Sequence, residues 1–254
     1  MRQRPPTLRP YAPPDVGGER ISLAGDRVRM SLGDQYGIRQ FESFVAAIPA
    51  TLWDLDLSNT RTRALLGIGY RTLDGISYTR EPMKAFPQAW ISHDARFVTT
   101  VADLRAHLAD PSIDLRETAI VLGRNVPLAL TGKVSGVSDS VTVEPVEHIT
   151  SDHIFIRFQT GSRALLTYSG VHFPGWQAST DGIPTRILRT YGALTRIVAE
   201  PGTHIVKLRY KPVSVRLGAF LTIAGLVSVV AIRWTTRRES QKGLVTATSK
   251  VPYP

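Results

Sequence analysis

The chain contains no cysteine in its 254 residues. That excludes disulfides, thiolate metal sites and cysteine nucleophiles together, while leaving the compartment open. An apolar leader is also missing: Met1–Asp15 is rich in Arg and Pro and has no h-region of a signal peptide. Two expectations follow. Either the body is cytoplasmic and tail-anchored, or the chain is the C-terminal piece of a longer protein whose upstream spans export it. Acidic residues are scarce, 21 against 31 Lys and Arg, for a net charge of +10.

What is present is the composition of a folded protein, with 43% apolar and 20% charged residues. The positive excess is concentrated at the ends. Arg2, Arg4 and Arg9 stand without an acid in the first ten residues, and Arg233, Arg237, Arg238, Lys242 and Lys250 oppose only Glu239 in the tail. The middle is nearly balanced. A phosphate-binding protein needs a dense basic face on its folded part, so no nucleic-acid partner is expected; basic ends suit a membrane surface better.

Leu217–Ile232 reads LGAFLTIAGLVSVVAI, flanked by Arg216 and Arg233. Val213, Val215 and Trp234 extend the run toward the roughly 20 residues that cross a bilayer. The flanking arginines can snorkel to the interface, where Trp234 also fits. A buried soluble helix would show a polar face, and here only Thr222 and Ser228 are polar. A transmembrane helix over 213–234 is therefore expected, followed by a disordered basic tail over 235–254. Small residues Gly218, Ala219, Ala224, Gly225 and Ser228 suit contact with a membrane partner. Basic residues on the two sides, five in the tail against Lys207, Arg209, Lys211 and Arg216, leave the orientation undecided.

The body reads as α+β. Residues 1–20 form a Pro-rich linker, and 21–140 a small α/β subdomain. In that subdomain Arg27–Leu32 alternates like a strand, and Ile38–Ile48 has helical spacing ending before Pro49. Leu65–Arg71, Ile76–Thr79 and Ala119–Leu122 look like buried strands, and Thr99 or Thr100 caps a helix through Leu108. From 141 to 212 the pattern changes to closely spaced short strands: Val141–Val146, Ile154–Thr160, Ala164–Tyr168, Trp176–Thr180, Thr185–Thr190, Leu194–Ala199 and Ile205–Tyr210. With the hairpin signal Asp181-Gly182, these predict an antiparallel β-sandwich subdomain.

Residues that carry chemistry are few. Trp176, with Phe173, Tyr168 and His172, can be read as an aromatic platform for a pyranose face, and Asp181 as a glycan contact. The opposing reading makes Pro174-Gly175-Trp176 a corner whose indole plugs the sandwich, and Asp181 plain turn chemistry. His153, His172 and His204 follow no metal-ligand spacing, so no metal or other cofactor is expected. His204 is expected to fix the turn before it through a backbone hydrogen bond. Asp54, Asp56 and Asp74 read as solvated or capping residues. Gly67-x-Gly69 lacks the rest of a dinucleotide fingerprint, and Ser162, Ser169 and Ser179 sit in no nucleophile elbow. No catalytic residue is assigned.

Val171–Gly182 (VHFPGWQASTDG) and Arg196–Pro212 (RIVAEPGTHIVKLRYKP) together carry a resemblance. The chain resembles the C-terminal region of YfhO-like bacterial membrane proteins, which pair a YPGW-x-A-x-x-DG signature with a P-x-G-x-H…Y-x-P segment and a following span. Pro174, Gly175, Gly182, Gly202, His204 and Tyr210 match those motifs, and Pro201 stands one residue closer to Gly202 than the P-x-G spacing. Weaker echoes occur at Tyr36-Gly37-Ile38, Leu65–Tyr70 and Ala85–Trp90; Tyr191 stands where that family often has Asn, and Gln88 where Arg is usual. The family is similar to lipid-phosphate-sugar (GT-C type) glycosyltransferases, whose acidic catalytic residues lie in an early loop between upstream helices. The resemblance implies an extracytoplasmic accessory domain at the bacterial cytoplasmic membrane, acting on cell-envelope glycans beside a multi-span partner or a missing N-terminal part. Glycosyltransferase activity would reside in those helices. The alternative is a free-standing membrane-anchored glycan-binding or assembly protein.

Overall fold

Asp181 and Gly182 turn the chain in two residues, at φ 50° and 88°. That backbone is the one a tight hairpin between right-twisted strands requires, and glycine enters it without steric cost. The hairpin is seen in a computed structural model that describes residues 19–23, 50–72, 77–123, 141–150 and 152–247. The expected strand at Arg27–Leu32 and helix at Ile38–Ile48 lie outside the described residues, as does nearly all of the 1–20 linker.

In chain order the strands are β1 (Arg20–Leu23), β2 (Ile68–Thr72), β3 (Tyr78–Arg80), β4 (Ala89–Ser92), β5 (Asp94–Val98), β6 (Thr118–Leu122), β7 (Thr142–Val143), β8 (Glu147–Thr150), β9 (His153–Thr160), β10 (Ala164–Val171), β11 (Trp176–Thr180), β12 (Ile183–Thr185), β13 (Leu188–Thr190), β14 (Leu194–Ala199) and β15 (Gly202–Tyr210). The α-helices are α1 (Thr60–Leu65), α2 (Val101–Ala109) and α3 (Val213–Ala247). Helix α2 starts where Thr100, in extended backbone, accepts from the Asp103 amide through its side chain, with Leu104 and Leu108 buried. Before β2 the sequence pattern gives only a strand, yet the chain first forms α1, capped by Asn59 accepting from the Arg61 amide.

Two antiparallel sheets enclose one core. The first runs β13-β14-β10-β4, and the second β12-β11-β15-β9-β7 with β8 also paired to β9. Between them pack Ile91, Ile154, Ile156, Phe158, Leu166, Ile197, Val206 and Leu208. The opposite face of the first sheet is buried as well. Trp90, Leu165, Leu194 and partly buried Val198 meet Leu65, Leu66 and Ile68 around α1, Leu104 and Leu108 of α2, and Ala119 and Ile120 of β6. Strands β5 and β6 pair in parallel across the α2 crossover, and β1 pairs in parallel with β2.

Strand β4 lies within the expected 21–140 subdomain yet hydrogen-bonds to β10, from Leu165↔Ser92 to Tyr168↔Ala89. Residues from both expected subdomains therefore share a sheet and a core, and the chain up to Tyr210 is one compact unit. The boundary at 140 is thus corrected: an apolar four-residue strand buried along its whole length needs neighbours on both faces, and its pairing partner lies in the later stretch.

The second unit, from Lys211 onward, contains α3. Its segment Val213–Trp234 is 22 residues long and apolar enough to cross a membrane. Its large apolar side chains are exposed, from 57% at Leu217 to 75% at Val213. Thr222 and Ser228 return their hydroxyls to the carbonyls of Gly218 and Ala224, each at 2.9 Å, which leaves little polarity on the helix surface. The helical backbone continues to Ala247, so the expected disorder from residue 235 is corrected as far as that residue. The reason is local: Arg237–Lys242 is made of residues compatible with helix, and no proline interrupts before Pro252.

Candidate functional site

The two sequence motifs occupy adjacent strands. Strand β11 pairs antiparallel with β15 from Trp176↔Tyr210 to Thr180↔Val206. At one end the Trp176 and Tyr210 rings meet, centroids 5.4 Å apart and tilted by 49°. Trp176 is half-buried against the inter-sheet core. Pro174 is exposed in the turn before it, and Gly175 takes φ 108°. One face of the indole is thus committed to packing, which favours the corner reading over an open sugar platform.

At the other end the two hairpin turns are locked together. Asp181 accepts the Ile205 amide at 2.8 Å through Oδ1 and contacts His204 Nδ1 at 2.6 Å through Oδ2. His204 Nε2 lies 3.1 Å from the Pro201 carbonyl. A side chain at Gly202 would stand 3.0 Å from that same Nε2, so the ring passes closely over the glycine. Both imidazole nitrogens therefore face acceptors, an arrangement satisfied by the imidazolium. Hydrogen bonds that His204 donates to Asp181 and to the Pro201 carbonyl raise its pKa, and the bonds from His204 and the Ile205 amide lower that of Asp181. With neither nitrogen free to accept a proton, His204 is a clamp and not a general base.

This pair borders an open cleft of about 430 Å³. Arg163, Arg186 and Glu200 add charge to its wall, and Ile183, Leu188 and Val198 add apolar surface. Arg163 and Glu200 are joined at 3.1 Å. Sequence reading missed these three charged residues because they come from separate strand ends that only the fold brings together. A second cleft, about 440 Å³, lies between Arg61, Lys84, Phe86 and the 111–116 turn. There Arg116 stacks on Phe86 at 4.7 Å, and Arg61 donates to the Leu108 and Ile113 carbonyls, the latter at 2.5 Å.

The four residues read as glycan contacts do not converge. Trp176 and Asp181 sit at opposite ends of β11, about 16 Å apart along the strand. Tyr168 is 8% exposed in the inter-sheet core, its ring 6.5 Å from that of His148. His172 donates its backbone amide to Ala193 at 2.7 Å, while its buried Nδ1 has no partner. Burial, aided by the Arg189 charge, lowers its pKa and keeps the ring neutral. Among the described residues no group of three or more His, Asp or Glu is placed to hold a metal ion. Asp56 is the turn residue expected from the sequence, accepting from both the amide and hydroxyl of Ser58. Comparison with known proteins returns no matching family model, no similar curated protein and no similar solved structure.

Proposed function

We propose that this chain is a membrane-tethered, extracytoplasmic accessory domain of a YfhO-like glycosyltransferase system, working on cell-envelope glycans beside catalytic helices borne by other membrane segments. The observation that carries the tethering is α3, whose 22-residue apolar segment presents large side chains all round. At about 25 cal/mol per Å², such a surface strongly favours hydrocarbon over water. Support for the YfhO-like part comes from contacts between its two motifs, Trp176 on Tyr210 and Asp181 on His204. Residues matched to separate signatures thus form one structural unit. The accessory role is supported by the clamp geometry of His204, which leaves that histidine no base to offer.

The absence of cysteine makes the test direct. Ile183, 72% exposed beside the clamp, is replaced by cysteine in the full chain. Labelling by a membrane-impermeant maleimide in intact cells is expected, together with retention in the membrane pellet after alkaline carbonate. Labelling only after lysis would overturn the extracytoplasmic placement, and release by carbonate would overturn the anchor. Co-purification in mild detergent with a multi-span protein tests the accessory role; a chain isolated alone would refute it.

A further inference from the structure

Arg196 is 0% exposed in the middle of β14, and Nε, Nη1 and Nη2 all lack a hydrogen-bond partner. Alternation along the strand puts it on the same face as Leu194 and Val198, which belong to the core that also holds α1, α2 and β6. Directly opposite on β10 stands Thr167, itself 0% exposed, whose Oγ1 is buried and unpartnered. Opposite Thr167 on β4 stands Trp90, whose buried Nε1 has the Tyr191 hydroxyl beside it but meets no acceptor in hydrogen-bonding geometry. Cross-strand neighbours of an antiparallel sheet project to the same side, so these three groups form one row.

The chemistry of the row is one-sided. A guanidinium offers five N–H donors and no acceptor, an indole offers one donor, and a hydroxyl can offer another. The electrostatic neighbour of Arg196 is the Tyr191 phenol, which burial holds neutral and whose own proton goes to the Leu115 carbonyl at 2.7 Å. Among the described residues no carboxylate pairs with Arg196. The buried carboxylate of Glu81 is already bonded to Arg63 at 2.9 Å and lies 3.6 Å from Arg71. Burial draws the Arg196 pKa down only to about 10, so the group stays charged at neutral pH. A buried cation needs a counter-charge, since leaving it unpaired is among the most costly arrangements in a protein interior.

We infer that the row of Arg196, Thr167 and Trp90 is an internal binding site for a small monovalent inorganic anion, of which chloride is the representative. The anion accepts from the guanidinium, hydroxyl and indole and neutralises the charge on the inner sheet. Its enclosure makes it a structural ion that enters when the core opens.

The test uses the full chain in detergent, depleted of chloride by dialysis in gluconate at constant ionic strength. Adding chloride, or bromide in its place, is expected to raise the Tm saturably. At a hundredfold excess over the dissociation constant the rise is about 5–10 °C. Arg196→Met removes the charge at similar length and is expected to abolish the response. Should that variant not fold, Thr167→Val retains the cation and is expected to move the chloride midpoint to higher concentration. Chloride-35 line broadening, present with wild type and lost with Arg196→Met, reads binding directly. A wild-type Tm indifferent to chloride, or the same response in the variants, would overturn the inference.

Discussion

Removing one oxygen atom at Tyr191 tests how the two halves of the body are joined. The side chain is 0% exposed, its ring lies 6.0 Å from that of Trp90, and its hydroxyl donates to Leu115 O at 2.7 Å with Thr118 O at 3.2 Å. Tyr191→Phe keeps the ring and strands a buried carbonyl. A net hydrogen bond of about 1 kcal/mol plus part of the desolvation of its acceptor gives a loss of about 1.5–2.5 kcal/mol. For a unit of this size that is a fall in Tm of about 3–10 °C. Tyr191→Asn separates a second effect. Tyr191 sits at φ 49°, in left-handed backbone that asparagine tolerates and tyrosine does not favour. Relief there is worth about 1–2 kcal/mol, whereas deleting a large buried aromatic costs about 3–5 kcal/mol. The expected order in urea titrations is wild type above Phe above Asn. An Asn variant as stable as wild type would refute the reasoning, by showing that backbone strain outweighs the packing and the hydrogen bond.

The Asp181–His204 clamp gives a pH signature. Raised in the fold, His204 contributes stability that is full below about pH 6.5 and fades as pH rises through its folded pKa. Asp181, lowered in the fold, contributes above about pH 4 and fades as pH falls through its own. A Tm series across pH is therefore expected to peak between those limits, and His204→Asn to flatten its alkaline side. Glu81→Gln leaves Arg63, 12% exposed, without its carboxylate, and is expected to lower stability by about 2–4 kcal/mol in urea denaturation. On the proposed membrane anchoring of Val213–Trp234, Ile223→Arg would place a charge near the centre of that segment at a cost of about 2.5–3.5 kcal/mol, and adding Val227→Arg is expected to release the chain from membranes into the carbonate supernatant.

Local chemistry made several elements legible. Strands β11 and β14 begin and end where alternation placed them, the Asp181-Gly182 turn has both residues at positive φ, and α2 starts at a threonine cap. The run expected as one strand over Thr185–Thr190 is divided into β12 and β13, which join different sheets. Sequence period reports which side chains share a face but not which sheet a strand enters, and β4, four residues buried without alternation, gave no strand signal at all. In the candidate site, the bond from His204 to the Pro201 carbonyl was readable from the turn, whereas its pairing with Asp181 across two hairpins was not. Arg196 carried a signal that alternation could have exposed: a cation in phase with Leu194 and Val198 inside an otherwise apolar strand.

The inner sheet has a consequence for biosynthesis. Its edge strand β4 is made about 70 residues before β10, the strand that pairs with it. At 5–20 residues per second that is a delay of roughly 4–14 s, during which the strand has no pairing partner and only one of its faces has native neighbours. Strand β14 follows later still, bringing the cation that lies across from Thr167. The body therefore cannot mature piecemeal from its N-terminal end. Its last strand, β15, ends only three residues before the apolar segment Val213–Trp234, so the body can close only once that segment is about to be made.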